Sequence, residues 1–204
     1  KRTRRNRTTE PNVSLPIEQT LIELGDIDRP LLNAALTELS NLSPEELRCF
    51  RESWGKVETK RRRQIVSRLV EMAEDNFALD FNSILKHCLQ DPDAEVRRQA
   101  IEGLWENEET SLIKPLINLL EQDPSEQVQA AAARALGKFA LLAEHKKLRP
   151  DRVSAIQSTL LAVIGDTSKP VTVRCRALES AAPFSLPRVK TAIREAYQSD
   201  SSRL

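Results

Sequence analysis

The 204-residue chain has few glycines (five), and aromatic residues make up 4% of it. A fold of β-hairpins needs glycine in its turns and aromatic or β-branched residues along its strands, so an all-β protein is excluded. The three cysteines, Cys49, Cys88 and Cys175, lie far apart and form no Cys-x-x-Cys pair. That excludes a disulfide framework and a cysteine-based zinc site; it suits a reducing compartment, and the expected location is the cytoplasm. No apolar run reaches the ~18 residues of a membrane span, and none reads as a signal-peptide core, so no membrane association is expected. With so few glycines there is no Gly-rich phosphate loop. The chain opens at Lys1 rather than at methionine, which reads as a processed or trimmed piece.

What is present is helix-forming. Leucine, alanine, glutamate and arginine dominate, and 40% of the residues are hydrophobic, enough to bury a core of useful size. The net charge of +1 conceals an asymmetry. KRTRRNRTTE at the start carries five cations and one acid; the remainder is left with 26 basic and 29 acidic residues. Such a segment buries too little apolar surface to order itself, so residues 1–14 are read as a basic disordered tail.

The central observation is a repeat. Asp91-Pro92 and Asp123-Pro124 stand 32 positions apart, and so do Val96 and Val128, Ala100 and Ala132, and Leu104 and Leu136. Apolar residues at helical spacing precede each Asp-Pro: Phe81, Ile84, Leu85 and Leu89 in one case, Leu112, Leu116 and Leu120 in the other. Each unit therefore predicts a helix, a sharp turn at Asp-Pro and a second helix. In that second helix Val96, Ala100 and Leu104 fall at i, i+4 and i+8, one apolar stripe. The aspartate is expected to cap the second helix and the proline to sit in its first turn. One helix pair cannot bury its stripe alone, so neighbouring pairs must stack into a solenoid.

The pattern Asp-Pro-x-x-x-Val-Arg-x-x-Ala-x-x-x-Leu resembles the HEAT-repeat family, above all its short bacterial form, which includes bilin-lyase-like repeats. Asp91, Pro92, Val96, Arg97, Ala100 and Leu104 match at every marked position. The next unit matches at Asp123, Pro124, Val128, Ala132 and Leu136 and has Gln129 in place of arginine. A third follows at Val173, Arg174 and Ala177, 45 residues on, after the polar stretch AEHKKLRPDR at 143–152. A degenerate fourth is read at Arg61-Arg62-Arg63-x-Ile65-x-x-x-Leu69. The resemblance implies an all-α fold, a right-handed α-solenoid of antiparallel helix pairs. It also implies that Arg97 and Arg174 reach turn aspartates, with Arg97 pairing near Asp91 or Asp123. Signatures of ankyrin and tetratricopeptide repeats are absent.

Three regions follow: the tail at 1–14, an N-terminal helical cap with the degenerate repeat at 15–78, and the repeat array at 79–204. The array is expected to continue beyond residue 204, because SDSSRL offers no polar capping helix after the helix read from Pro187 through Val189, Ile193 and Tyr197. In the cap, Ser43-Pro44-Glu45-Glu46 opens a helix with a capping serine and acids suited to the helix dipole.

No constellation points to catalysis, a cofactor or a metal. His87 and His145 have no ligand-spaced partners, and Trp54 and Trp105 are read as core. The expected function is a non-enzymatic scaffold that binds a protein through an extended concave face of second-position helices, where Arg98, Glu102, Gln127 and Arg134 supply mixed charge. Arg61, Arg62 and Arg63 form the densest internal basic patch and are added as candidate contacts. Two other readings stay open. One is an enzyme on the same superhelix, resembling bilin lyases or alkylpurine DNA glycosylases. The other is a nucleic-acid binder that uses the tail and the Arg61–Arg63 patch.

Overall fold

A computed structural model of the chain describes residues 16–194 apart from 185, 188 and 192. The basic tail, and Tyr197 of the last expected helix, lie outside the described residues. Among the described residues these α-helices follow one another: α1 (Pro16–Gly25), α2 (Asn33–Thr37), α3 (Pro44–Trp54), α4 (Thr59–Asp75), α5 (Asn82–Cys88), α6 (Ala94–Gly103), α7 (Ile113–Gln122), α8 (Glu126–Glu144), α9 (Pro150–Gly165) and α10 (Val171–Ala181). Short 3₁₀ turns stand before α7 and after α10, and no strand occurs among the described residues.

The expected units are present as the pairs α5/α6, α7/α8 and α9/α10, each joined by a short turn and packed as antiparallel neighbours. The second members stack in one layer, α4 on α6 on α8 on α10, while on the other side α3 packs on α5 and α7 on α9. The stripes predicted for α6, α8 and α10 are the seams of this stack. Val96 and Ala100, Val128, Ala132 and Leu136, and Val173 and Ala177 are fully buried, and Leu104 nearly so. Small residues set the spacing between packed helices. A Cβ added at Gly103 would meet Val70 at 2.6 Å and Leu85 at 2.9 Å, and one at Gly137 would lie 3.3 Å from the backbone of Ser180 on α10. At those two points the helices touch almost backbone to side chain.

The turn chemistry differs from expectation. Asp91 and Asp123 do not cap the helices that follow. Each turns back on itself, accepting the backbone N–H two residues on: Asp93 N donates to Asp91, and Ser125 N to Asp123, both at 2.9 Å. The caps are Asp93, which accepts from Glu95 N and Val96 N, and Ser125, which accepts from Val128 N. Pro92 and Pro124 accordingly lie in the turns, before the helices start. The capping box at Ser43 and Glu46 forms as read. The polar stretch 143–152 is half helix, with 145–149 as the connection.

Arginines tie one pair to the next. Arg97 donates from two nitrogens to the carboxylate of Asp123 at 2.7 and 2.8 Å, and from its third to the carbonyls of Asp91 and Pro92. Arg62 makes an ion pair one unit earlier: Nε lies 3.1 Å from Asp91 Oδ2, and Nη1 donates to the Val57 carbonyl at 2.8 Å. Trp54 Nε1 completes the set on Asp91 at 2.7 Å. Both arginines and both aspartates are buried, so each charge is matched where water cannot solvate it. Gln129 and Arg174 depart from the pattern. Gln129 donates to the carbonyl of Asp123, and Arg174 donates to the Ile164 carbonyl rather than to Asp166.

A candidate partner-binding groove

Because α4, α6, α8 and α10 stack side by side, the residues on their outer faces form one continuous surface. Each seam position points inward, so neighbours two positions away point out. Across that surface runs an open groove of about 580 Å³ that takes residues from all four helices. Glu74 comes from α4, Arg98, Ile101 and Glu102 from α6, Gln127, Ala130, Ala131 and Arg134 from α8, and Thr172 and Arg176 from α10, with Trp105 just past the end of α6. Four of the residues expected to meet a partner, Arg98, Glu102, Gln127 and Arg134, are thus brought together here. Alanines at 130 and 131 keep the floor low, and Ile101 lies buried beneath it.

The charges in the groove are partly spent. Arg98 is held between Glu95 and Glu102 of its own helix, with Nε 2.8 Å from Glu95. The hydrogen bond from Arg98 keeps the Glu95 carboxyl below its ordinary pKa. Arg176 pairs with Glu179 at 2.7 Å. The guanidinium of Arg134 sits 5.3 Å from the centre of the Trp105 ring, a cation–π contact.

Two further depressions adjoin the groove. One, about 470 Å³, is lined by Trp105, Glu106, Glu108, Lys138 and Leu141 among others; the second, about 430 Å³, by Phe77, Asp80, Trp105 and Glu106. Lys138 closes the end of α6 by donating to the carbonyls of Leu104, Trp105 and Asn107. Burial lowers its pKa to about 8.

The basic patch divides. Arg61 and Arg62 are buried and cannot meet a partner. Arg61 donates to the carbonyls of Leu24 and Arg29, and Arg62 is the buried link to Asp91. Arg63 stays at the surface, where Nε and Nη2 both engage Asp93. The matching register of Arg62 and Arg97 was the signal that these cations face inward. Trp54 is core, as read, with its indole N–H committed to Asp91. Trp105 is not: it is 47% exposed. It follows the last stripe residue, Leu104, beyond the end of the helix, and so escapes the seam. Phe77, 85% exposed in the turn after α4, carried no sequence signal of this kind.

His87 is half buried with its ring edge-on to Phe50, and His145 is exposed at the end of α8. Among the described residues no group of three or more His, Cys, Asp or Glu side chains is placed to hold a metal ion, and no helix is long and apolar enough to cross a membrane.

Residues 82–150 match the family model of HEAT repeats. No curated protein matches the chain. Among solved structures the chain is similar to two designed armadillo repeat proteins. The first is 21% identical with a TM-score of 0.36, covering 81% of this chain and 62% of that one, so this chain spans less than two thirds of its length. The second, determined in complex with the peptide (KR)4, is 16% identical with a TM-score of 0.39, covering 90% of this chain and 99% of that one.

Proposed function

We propose, from the match of residues 82–150 to the family model of HEAT repeats, that the protein is a non-enzymatic scaffold that binds a polypeptide segment in the groove across α4, α6, α8 and α10. The observation that carries this reading is the convergence of Arg98, Glu102, Trp105, Gln127 and Arg134 on one open groove. Those residues come from two successive pairs, yet they share one face. A polar rim around an aromatic residue and a low alanine floor is the make-up of a reversible protein interface. The groove is long and shallow, which suits an extended chain better than a small molecule held on all sides. The nucleic-acid reading loses its internal anchor, since Arg61 and Arg62 are buried.

The test is a random-peptide display selection against the protein, with counter-selection on Ala131→Trp, which fills the groove floor. Peptides enriched on the wild type and lost on the variant, with helical circular dichroism unchanged, support the reading. Failure to enrich any peptide, or equal binding to both proteins, overturns it.

A further inference from the structure

Trp105 lines all three depressions on this face. Around it, large apolar side chains stand unusually exposed: Phe77 after α4 and Leu141 near the end of α8, at 85% and 53%. Phe77 shares one depression with Trp105, and Leu141 shares another. The three therefore lie along one edge of the second-helix layer, each near the C-terminal end of its own helix. A row of exposed large apolar residues on one edge of a folded protein marks a contact surface.

The charges between them that form no ion pair are mostly acidic. Glu74, Asp80, Glu106, Glu108 and Glu126 line these depressions and form no ion pair among the described residues. The cations on the same surface are occupied. Arg98 is bridged by Glu95 and Glu102, Arg176 by Glu179, and Lys138 is buried against three carbonyls. Arg134 is turned onto the Trp105 ring. A partner approaching this edge meets apolar side chains set in an excess of negative charge.

We infer that the segment bound here is basic, with Lys or Arg residues alternating with apolar anchors that pack beside Phe77, Trp105 and Leu141. The inference rests on the groove reading and adds the chemical class of the partner. Nucleic acid is disfavoured on the same surface, because its phosphates would face the five carboxylates. Trp105 is the central anchor: it joins the three depressions, and its face already accepts a guanidinium.

Three fluorescein-labelled peptides of about twelve residues test this by fluorescence anisotropy. Each alternates leucine with one other residue type: lysine and arginine, glutamate, or serine. The basic peptide is expected to bind tightest and to weaken as salt is raised, because the carboxylates are exposed and screened. Trp105→Ala should weaken it about fivefold or more, as removal of a central aromatic anchor does. The triple variant Glu74→Gln, Glu106→Gln, Glu126→Gln should weaken it and flatten the salt dependence. Glu52→Gln on α3, outside this surface, should leave it unchanged. If the glutamate or serine peptide binds as tightly and is displaced by Ala131→Trp, the partner class is wrong while the groove stands. If the basic peptide binds but neither Trp105→Ala nor the triple variant alters it, the edge is not its site. If no peptide binds, both readings fall.

Discussion

Arg62 on α4 is joined to Asp91 in the next turn, its Nε 3.1 Å from Oδ2, and the same reach recurs one unit later from Arg97 to Asp123. The recurrence makes α4 a working member of the repeat, although its stripe replaces valine with arginine and alanine with isoleucine. The links are buried, and each aspartate carries a second duty, holding the turn by accepting the N–H two residues on.

Arg97→Ala should therefore cost about 3–5 kcal/mol, because it strands the Asp123 carboxylate in the interior. Arg97→Lys should recover little of this, since an ammonium cannot span both carboxylate oxygens and two carbonyls at once. Urea denaturation of the two variants measures both effects. A loss below ~1 kcal/mol for Arg97→Ala would show that the link contributes little.

Two glycines offer a matched pair. Gly137→Ala should destabilise by about 1–3 kcal/mol, because the new methyl meets the backbone of Ser180 at 3.3 Å and its hydroxyl at 2.9 Å. Gly165→Ala, at the end of α9, meets nothing within 4 Å. It should be neutral or stabilise by up to about 1 kcal/mol through helix propensity. Thermal melts of both decide whether close approach or propensity dominates at Gly137.

Leu104→Ala removes buried methyl groups from the α6 seam and should cost about 2–5 kcal/mol. Arg98→Ala breaks two ion pairs within its own helix on the groove rim, each worth about 0.3–0.5 kcal/mol, and so costs about 1 kcal/mol at most. Chemical denaturation of the two variants tests the register of α6. The reverse order would mean that the helix is turned about its axis relative to this description.

The hydrogen bonds from Arg63 hold the Asp93 carboxyl below its ordinary range. In the unfolded chain the same group titrates near about 3.9. Between the two values the unfolded state binds more protons, so the contribution of this carboxylate is complete above about pH 4 and is lost as pH falls through the lower, folded value. Asp93→Asn keeps a capping oxygen for Glu95 N and Val96 N but cannot carry the charge. Unfolding followed across acidic pH should show the wild type more stable above about pH 4 and the difference shrinking below it. A constant difference would assign the effect to the cap instead.

Trp54 is buried and Trp105 exposed, so Trp105→Phe should remove most of the fluorescence that acrylamide quenches, leaving a shielded emission from Trp54. Easily quenched emission from the variant would place Trp54 at the surface. Trp54→Phe should cost about 1–3 kcal/mol, since it removes a donor from the buried Asp91.

Much of the array was legible because repetition amplifies weak signals. The offset of 32 between Asp91 and Asp123 located α5 to α8, and the spacing of Val96, Ala100 and Leu104 gave the buried face of α6. Arg98 and Glu102 are outward positions of α6, Gln127 and Arg134 of α8, and the four converge on the groove. Other features resisted for identifiable reasons. Aspartate favours helix caps and turns alike, so nothing local assigned Asp91 to the turn and Asp93 to the cap. Arginine usually signals surface, and the inward turn of Arg61 and Arg62 depends on carbonyls and a carboxylate from other elements. Trp105 escapes helix periodicity because it lies two residues past Gly103, where α6 stops.

The repeats are unequal: α6 has 10 residues and α8 has 19, while α7 has 10 and α9 has 16. In chains of similar tandem units, one hairpin can dock in the slot of another, and such misassembly traps folding. Here the extra turns of α8 and α9 leave the last pairs too long for the slot of α5 and α6, and the short pair would leave apolar surface of α8 bare. Length thus works as an address, directing each hairpin to a single place along the stack.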